Sequence, residues 1–231
     1  MSGEYFVSAV IVSAGNSSRM GGVNKQFLEI ENMSVVARSI NAFQKCSLID
    51  EIVIVARSCD IQPIERIVDN YDFDKVSAIV GGGETRQLSV YNGVSACSQK
   101  SDFVAIHDGA RPLVTERVIV DTLSAAIDCG AAVTGVKIKD TVKVVNGFND
   151  IVSTPDRSSM RAVHTPQIFS KKLYLKAVEN VPDSKNFTDD CMLIEAYGGK
   201  VRLVEGDYEN IKITTPEDIA LAESYLARRE K

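Results

Sequence analysis

Tryptophan is missing from the 231-residue chain, histidine occurs only twice, and the five cysteines show no C-x-x-C or other paired spacing. Two histidines and scattered thiols argue against a zinc site. An odd, unpaired cysteine set fits small core or near-surface residues in a reducing compartment. No apolar run reaches the roughly 18 residues that a membrane helix needs, and no charged leader precedes an apolar stretch. The expectation is a cytoplasmic protein with no membrane partner. Positive charge is in deficit: 26 Lys and Arg against 31 Asp and Glu leave a net charge of −5. That argues against nucleic acid as the principal partner, so any polyanion site must be a local basic pocket. Repeats, low-complexity tracts and linkers are also lacking, and residues 1–231 read as a single domain.

What is present is a regular alternation of strand and helix signals through residue 136. Apolar segments at Tyr5 to Val12, Glu51 to Ala56, Ser77 to Val80, Phe103 to His107 and Ala131 to Val136 read as strands. Helical periodicity lies between them, at Ser34 to Gln44, Ile61 to Tyr71, Thr85 to Ser98 and Thr115 to Cys129. Continuous apolar strands separated by helices predict an α/β fold with a doubly wound, mostly parallel sheet. The rhythm then breaks. Thr141 to Val145 alternates and meets Asn146-Gly147, a hairpin signal within a segment of about 140–160 that has little core of its own. This segment reads as an inserted β-arm suited to joining two copies of the chain. Helices near Lys171 to Asn180 and Asp189 to Tyr197, a strand at Lys200 to Val204 and a helix from Pro216 to Arg228 complete the pattern.

Three strand ends carry chemistry. The first runs from Val10 to Lys25, V-I-V-S-A-G-N-S-S-R-M-G-G-V-N-K, where a β-branched strand gives way to small residues and then to Arg19 and Lys25. Backbone amides in such a loop can cradle phosphate oxygens, and the two cations add charge that amides lack. It is neither a dinucleotide fingerprint, since Ser17 and Met20 occupy the second and third glycine positions, nor a P-loop. The alternative is a turn that is merely small and polar. The second is G-G-G-E-T-R-Q-L-S, Gly81 to Ser89, whose glycines permit close approach to a flat ligand while Glu84 and Ser89 offer hydrogen bonds. It could equally be a flexible connection ending in a helix cap. The third is H-D-G-A-R-P, His107 to Pro112. A carboxylate at the end of a buried strand needs a cation, either a divalent metal on triphosphate oxygens or Arg111. His107 fits a packing and hydrogen-bonding role better than a catalytic one. Lys212, between Ile211 and Ile213, either snorkels or meets an anion. Thr188 reads as a helix N-cap or a ligand contact.

The ordered set S-A-G-N-S-S-R-M-G…K-Q-F, G-G-G-E-T-R-Q-L-S-V, H-D-G-A-R-P, K-D-T-V-K, D-R-S…H-T-P-Q-I-F, F-T-D-D and N-I-K-I-T-T-P-E-D resembles the 2-C-methyl-D-erythritol 4-phosphate cytidylyltransferases over essentially the whole chain. The resemblance implies a Rossmann-like nucleotidyltransferase fold, a magnesium-dependent transfer from CTP to a sugar phosphate, and a homodimer formed through the arm. It implies that Ala14, Gly15 and Asn16 wrap the CTP phosphates and that Arg19 and Lys25 stabilise charge at the α-phosphate. Gly82, Glu84, Ser89 and Ala110 would contact the nucleoside, and Asp108 would hold Mg²⁺. Arg111 would lie between nucleotide and acceptor. Thr141, Arg157, Thr165 and Lys212 would position the acceptor, with Thr188 in support and Arg157 and Lys212 acting in catalysis. Related ribitol 5-phosphate cytidylyltransferases and a non-catalytic nucleotide-binding module are the competing readings. The sequence departs from the family pattern at Ser13 (usually alanine), at Asn16-Ser17, at Glu84 (usually aspartate), and in a loop before Lys25 that is one residue short and lacks a proline.

Overall fold

The computed structural model describes residues 5–15, 24–182 and 187–229. In chain order the elements are β1 (Val7–Val12), the short pair β2 (Glu29–Ile30) and β3 (Met33–Ser34), α1 (Val35–Lys45), β4 (Glu51–Ala56), α2 (Ile61–Asn70), β5 (Val76–Gly81), α3 (Arg86–Ala96), β6 (Phe103–Asp108) and α4 (Glu116–Cys129). There follow β7 (Ala131–Lys137), the hairpin β8 (Val144–Val145) and β9 (Ile151–Ser153), β10 (Arg161–Ser170), α5 (Lys171–Asn180), α6 (Asp190–Ala196), β11 (Arg202–Glu205) and α7 (Glu217–Arg229).

Side chains capable of capping open several helices. Ser34, Thr115 and Asp189 accept hydrogen bonds from the amides of Ala37, Val118 and Met192, and Gly130, in the left-handed region at φ 86°, closes α4. The helix cap at 188–190 is therefore Asp189 and not Thr188, whose hydroxyl meets the Met192 sulfur instead.

Seven strands form the main sheet in the order β11-β7-β10-β6-β1-β4-β5. All pairings are parallel except those of β10, which runs antiparallel to both β6 and β7. The polar segment His164-Thr165-Pro166-Gln167 lies inside this strand. Side chains of β1 alternate between two layers. Val7, Ala9 and Ile11 pack with Val36, Ile40 and Phe43 of α1 and with Ile119 and Leu123 of α4. Val10 packs on the other face with Val90 and Val94 of α3 and Tyr174 of α5. Each fully buried aliphatic or aromatic side chain stabilises the fold by roughly 1.5–3 kcal/mol, so both faces are firmly covered.

The amino end of the sheet buries Glu51, where β4 begins. Its carboxylate accepts from the hydroxyls of Ser8 (2.5 Å) and Ser77 (2.7 Å) and from the Ser98 amide (2.9 Å). Burial alone would raise this carboxyl, yet these donors, helped by the charge of Lys171, hold it below its ordinary range.

Between Lys137 and Arg161, which face each other across the β7–β10 ladder, the chain leaves the sheet as the arm. Its reversal is wider than a two-residue turn: the Asn146 side chain accepts from the amides of Phe148 and Asp150, and Asn149 adopts φ 64°.

Candidate active site

From β1 the chain proceeds outward through β4 to β5 and then returns to place β6 on the opposite side of β1. The carboxyl ends of these strands therefore splay at a switch point, where open α/β sheets bind ligands. A cavity of about 540 Å³ opens there. Its lining includes the ends of β1 (Ala14, Gly15) and β6 (Asp108, Ala110), together with Lys25, Arg57, Lys212 and the run Gly82–Arg86. Four of the lining residues are cations and two are acids, so a local positive site exists within an acidic chain.

The glycines bring the loops together. A Cβ on Gly82 would lie 2.3 Å from the Ala14 Cβ, and one on Gly109 would lie 2.4 Å from the Ser13 Oγ. The loops after β1, β5 and β6 can approach this closely only with glycine at both positions. Ser13 Oγ is buried with no hydrogen-bond partner among the described residues, a desolvation cost that no bond offsets there. Ser89 is buried behind the glycine loop. Its Oγ accepts from the Gly83 amide at 3.0 Å and donates to the Thr85 carbonyl at 2.9 Å. Thr85 caps α3 through the Leu88 amide, so the capping alternative for this motif holds alongside its place on the cavity.

Asp108 is the electrostatic centre. Lys212 Nζ lies 2.8 Å from Oδ2, Arg111 Nε 3.6 Å from Oδ2 and Arg86 Nη2 3.8 Å from Oδ1. Burial by itself would raise the Asp108 carboxyl, but Lys212, Arg86 and Arg111 together hold it well below the usual range. Lys212 thus meets an anion. It is placed by the Ile213 amide, which donates to the Ala110 carbonyl at 2.8 Å, and by the fully buried Ile213 side chain. Buried Asn210 adds a bond from Nδ2 to the Thr165 carbonyl and accepts one from Arg111 at its own carbonyl.

Behind Asp108, Thr165 Oγ1 accepts from the Asp108 amide at 3.0 Å and lies 3.1 Å from His107 Nδ1. The hydroxyl proton then goes to Nδ1, which leaves Nε2–H to donate to the Arg111 carbonyl at 3.1 Å. Complete burial pushes His107 down to about 4. It is a neutral bracket between the β6 loop and β10.

Two residues that the sequence reading passed over complete the site. Arg86 bridges Asp108 and the buried Asp190, with Nη1 2.7 Å from the Asp190 carboxylate. Arg57 lines the same cavity and binds Asp60. The first lies within the motif G-G-G-E-T-R, as the opening residue of α3. Of the expected residues, Ala14, Gly15, Lys25, Gly82, Glu84, Ser89, Asp108, Ala110 and Lys212 line the cavity together. Arg111 and Thr165 sit just behind it, both buried. Thr141 and Arg157 are exposed on the arm, where Arg157 donates to the Lys139 carbonyl, and Thr188 is exposed before α6. Asn16 and Arg19 lie outside the described residues.

The profile of the family described as IspD, 2-C-methyl-D-erythritol 4-phosphate cytidylyltransferase, matches residues 7–228. A protein of that name from Caldanaerobacter subterraneus subsp. tengcongensis is 46% identical over 96% of this chain and 99% of its own length. One from Alkaliphilus oremlandii is 42% identical over 97% and 96%. Among solved structures, the 4-diphosphocytidyl-2C-methyl-D-erythritol synthase of Anaerococcus prevotii superposes with a TM-score of 0.87 at 35% identity, covering 96% of each chain. The Thermus thermophilus cytidylyltransferase gives 0.78 at 31% identity, covering 96% of this chain and 99% of its own. With the cation-lined cavity at the switch point and a match that spans nearly every described residue, the chain belongs to the 2-C-methyl-D-erythritol 4-phosphate cytidylyltransferase family.

Proposed function

We propose that this chain is the cytidylyltransferase that joins CTP to 2-C-methyl-D-erythritol 4-phosphate, forming 4-diphosphocytidyl-2-C-methyl-D-erythritol and releasing pyrophosphate. The observation that carries this reading is the cavity lined by Lys25, Arg86 and Lys212, the last two paired with Asp108 at the carboxyl end of β6. An oxygen of the acceptor phosphate attacks the α-phosphorus of CTP, a P–O bond forms, and the α–β bridging bond breaks with its electron pair leaving on pyrophosphate. Two anions must meet, so neutralisation and alignment are the main tasks. The acceptor phosphate is already ionised near neutrality, so no general base is needed. Both histidines, held neutral and away from the reacting centre, fit that requirement.

Magnesium fits the donor set as an ion that arrives with the triphosphate. Asp108 is one ionised carboxylate at a strand end, and Mg²⁺ takes one or two such ligands alongside phosphate oxygens. Among the described residues no cluster of three or more potential ligands forms a cage for a resident metal. Asp108 would hold the ion, which when bound neutralises triphosphate charge.

The arm supports a homodimer. Val144, Val145, Ile151 and Val152 are exposed along it, and Phe148 at its tip is 88% exposed. Apolar side chains presented this way on a projecting hairpin suit a second copy of the same chain. Thr141 and Arg157, remote from their own cavity, then serve the partner's acceptor site. No helix among the described residues is long and apolar enough to cross a membrane.

The test is pyrophosphate release from CTP and Mg²⁺, with methylerythritol 4-phosphate and ribitol 5-phosphate supplied separately. Turnover is expected with the first only, and Lys25→Ala should lower it by about 10²–10³-fold. Turnover with ribitol 5-phosphate alone would move the chain to the polyol branch. No turnover with either would reduce it to a nucleotide-binding module.

A further inference from the structure

Arg57 is the first residue beyond β4, and its neighbours fix where it stands. The Ser13 amide donates to the Val55 carbonyl at 2.7 Å and the Gly82 amide to the Ala56 carbonyl at 2.8 Å. Arg57 therefore emerges between the loops that follow β1 and β5, and it lines the same cavity as Lys25. Its guanidinium is held edge-on by Asp60, with Nε 2.6 Å from Oδ2 and Nη2 3.0 Å from Oδ1. Nη1 takes no part in either bond.

Asp60 is itself buried and does not line the cavity. Besides Arg57 it accepts a bond from Asn24 Nδ2 at 3.1 Å. Asn24 in turn caps the short 3₁₀ turn Lys25–Phe27, its Oδ1 accepting from the Gln26 amide at 3.2 Å. One buried carboxylate thus anchors two cationic positions of the same cavity, Arg57 directly and Lys25 through its turn. The Asn24–Asp60 bond also ties the Lys25 turn to the residues that follow β4. A guanidinium fixed along one edge by a carboxylate presents its remaining donors in a set direction, which suits a phosphate oxygen better than a freely rotating lysine does.

We infer that Arg57 is an additional nucleotide-contacting cation of this chain, binding a phosphate oxygen of the nucleoside triphosphate, and that Asp60 is the positioning residue that aligns Arg57 with the Lys25 turn. The inference rests on the cytidylyltransferase reading and adds residues to its nucleotide site. A solely structural Arg57–Asp60 pair would support folding and leave the balance between the two substrates untouched.

The experiment uses the full-length chain. KM is measured separately for CTP and for the acceptor, and CTP binding is titrated without acceptor by thermal shift. Arg57→Ala should raise the CTP KM and the CTP dissociation constant by about tenfold while the acceptor KM stays within about twofold. Asp60→Asn should raise the CTP KM similarly and also lower kcat, because the Lys25 turn loses its anchor. Adding Arg57→Ala to Asp60→Asn should then cost less than about twofold more, since both changes remove one device. CTP constants within about twofold of wild type in Arg57→Ala, or KM values for both substrates rising together, overturn the inference. An active wild type with an indifferent Arg57 overturns it alone. A wild type that neither binds CTP nor releases pyrophosphate overturns the underlying functional reading with it.

Discussion

At the carboxyl end of the sheet Asp108 is surrounded by the charges of Lys212, Arg111 and Arg86. At the amino end Glu51 is surrounded by the hydroxyls of Ser8 and Ser77 and the amide of Ser98. Both carboxyls are buried and both are held below their ordinary range, so the two ends meet the same desolvation cost by different means. The hydroxyl cage is complete and serves nothing beyond itself. The cation cage is oversupplied, and two of its members, Arg86 and Lys212, face a cavity. Charges that compensate Asp108 in the resting protein are available to an incoming polyphosphate, whereas the donors around Glu51 have nowhere else to turn. Stability and function are separated here by the choice of partner for a buried acid.

The largest effect should come from neutralising the carboxyl end. Asp108→Asn should reduce pyrophosphate release by about 10²–10³-fold at saturating CTP, because the cations lose the carboxylate that orders them. A rate near wild type would remove the functional half of the comparison.

Acid should distinguish the ends next. His107 is buried at the carboxyl end and pushed down to about 4, with His164 on the adjoining strand also at about 4 through burial and the nearby Arg111. Neutral in the folded chain, these rings take up protons on unfolding. Stability is therefore full above the unfolded histidine value of about 6.5 and falls as pH drops toward 4. Between pH 7 and 5 the loss attributable to His107 is about 2 kcal/mol, with His164 acting in the same direction. Glu51 contributes in a lower window, present above about pH 4.3 and lost only below it as its depressed carboxyl protonates. Urea midpoints across pH 7 to 4, with hydrogen exchange in β6 and β4, would show the carboxyl end loosening first. Simultaneous loss at both ends would contradict the assignment.

The smallest effect should follow Glu51→Gln. It is expected to destabilise the chain by about 2 kcal/mol, the scale of a lost charge-assisted hydrogen bond, and to leave turnover within about twofold. A large fall in activity at full stability would mean that the amino end is coupled to the site after all.

Much of the parallel scaffold was readable because its inner strands are apolar on both faces and their helices carry local caps. The polar part of strand β10 was not, because its polar residues are satisfied only across the fold: Thr165 by His107 and Asp108, and Gln167 by Asp189 and the Asp190 amide. A polar, proline-containing segment looks like a loop until those partners are known. The cavity-lining loops were legible through their glycines, since close approach leaves that mark in composition. Arg57 and Arg86 were not, since each sits at a strand exit or helix start where an arginine is unremarkable. Only tertiary contact with Asp60, Asp108 and Asp190 distinguishes them. Glu51 looked like an ordinary polar strand end because its partners come from β1, β5 and the loop after α3.

The pairing of Lys137 with Arg161 has an evolutionary consequence. The arm leaves and rejoins the sheet at facing positions, so its roots are fixed by the ladder and not by the arm's own length. Insertions, deletions or exchange of the intervening residues need not shift the register of β7 or β10. Lineages could thus have recut the exposed surface of the arm like a cassette, under selection of its own, while the strand ends that line the cavity stayed in place.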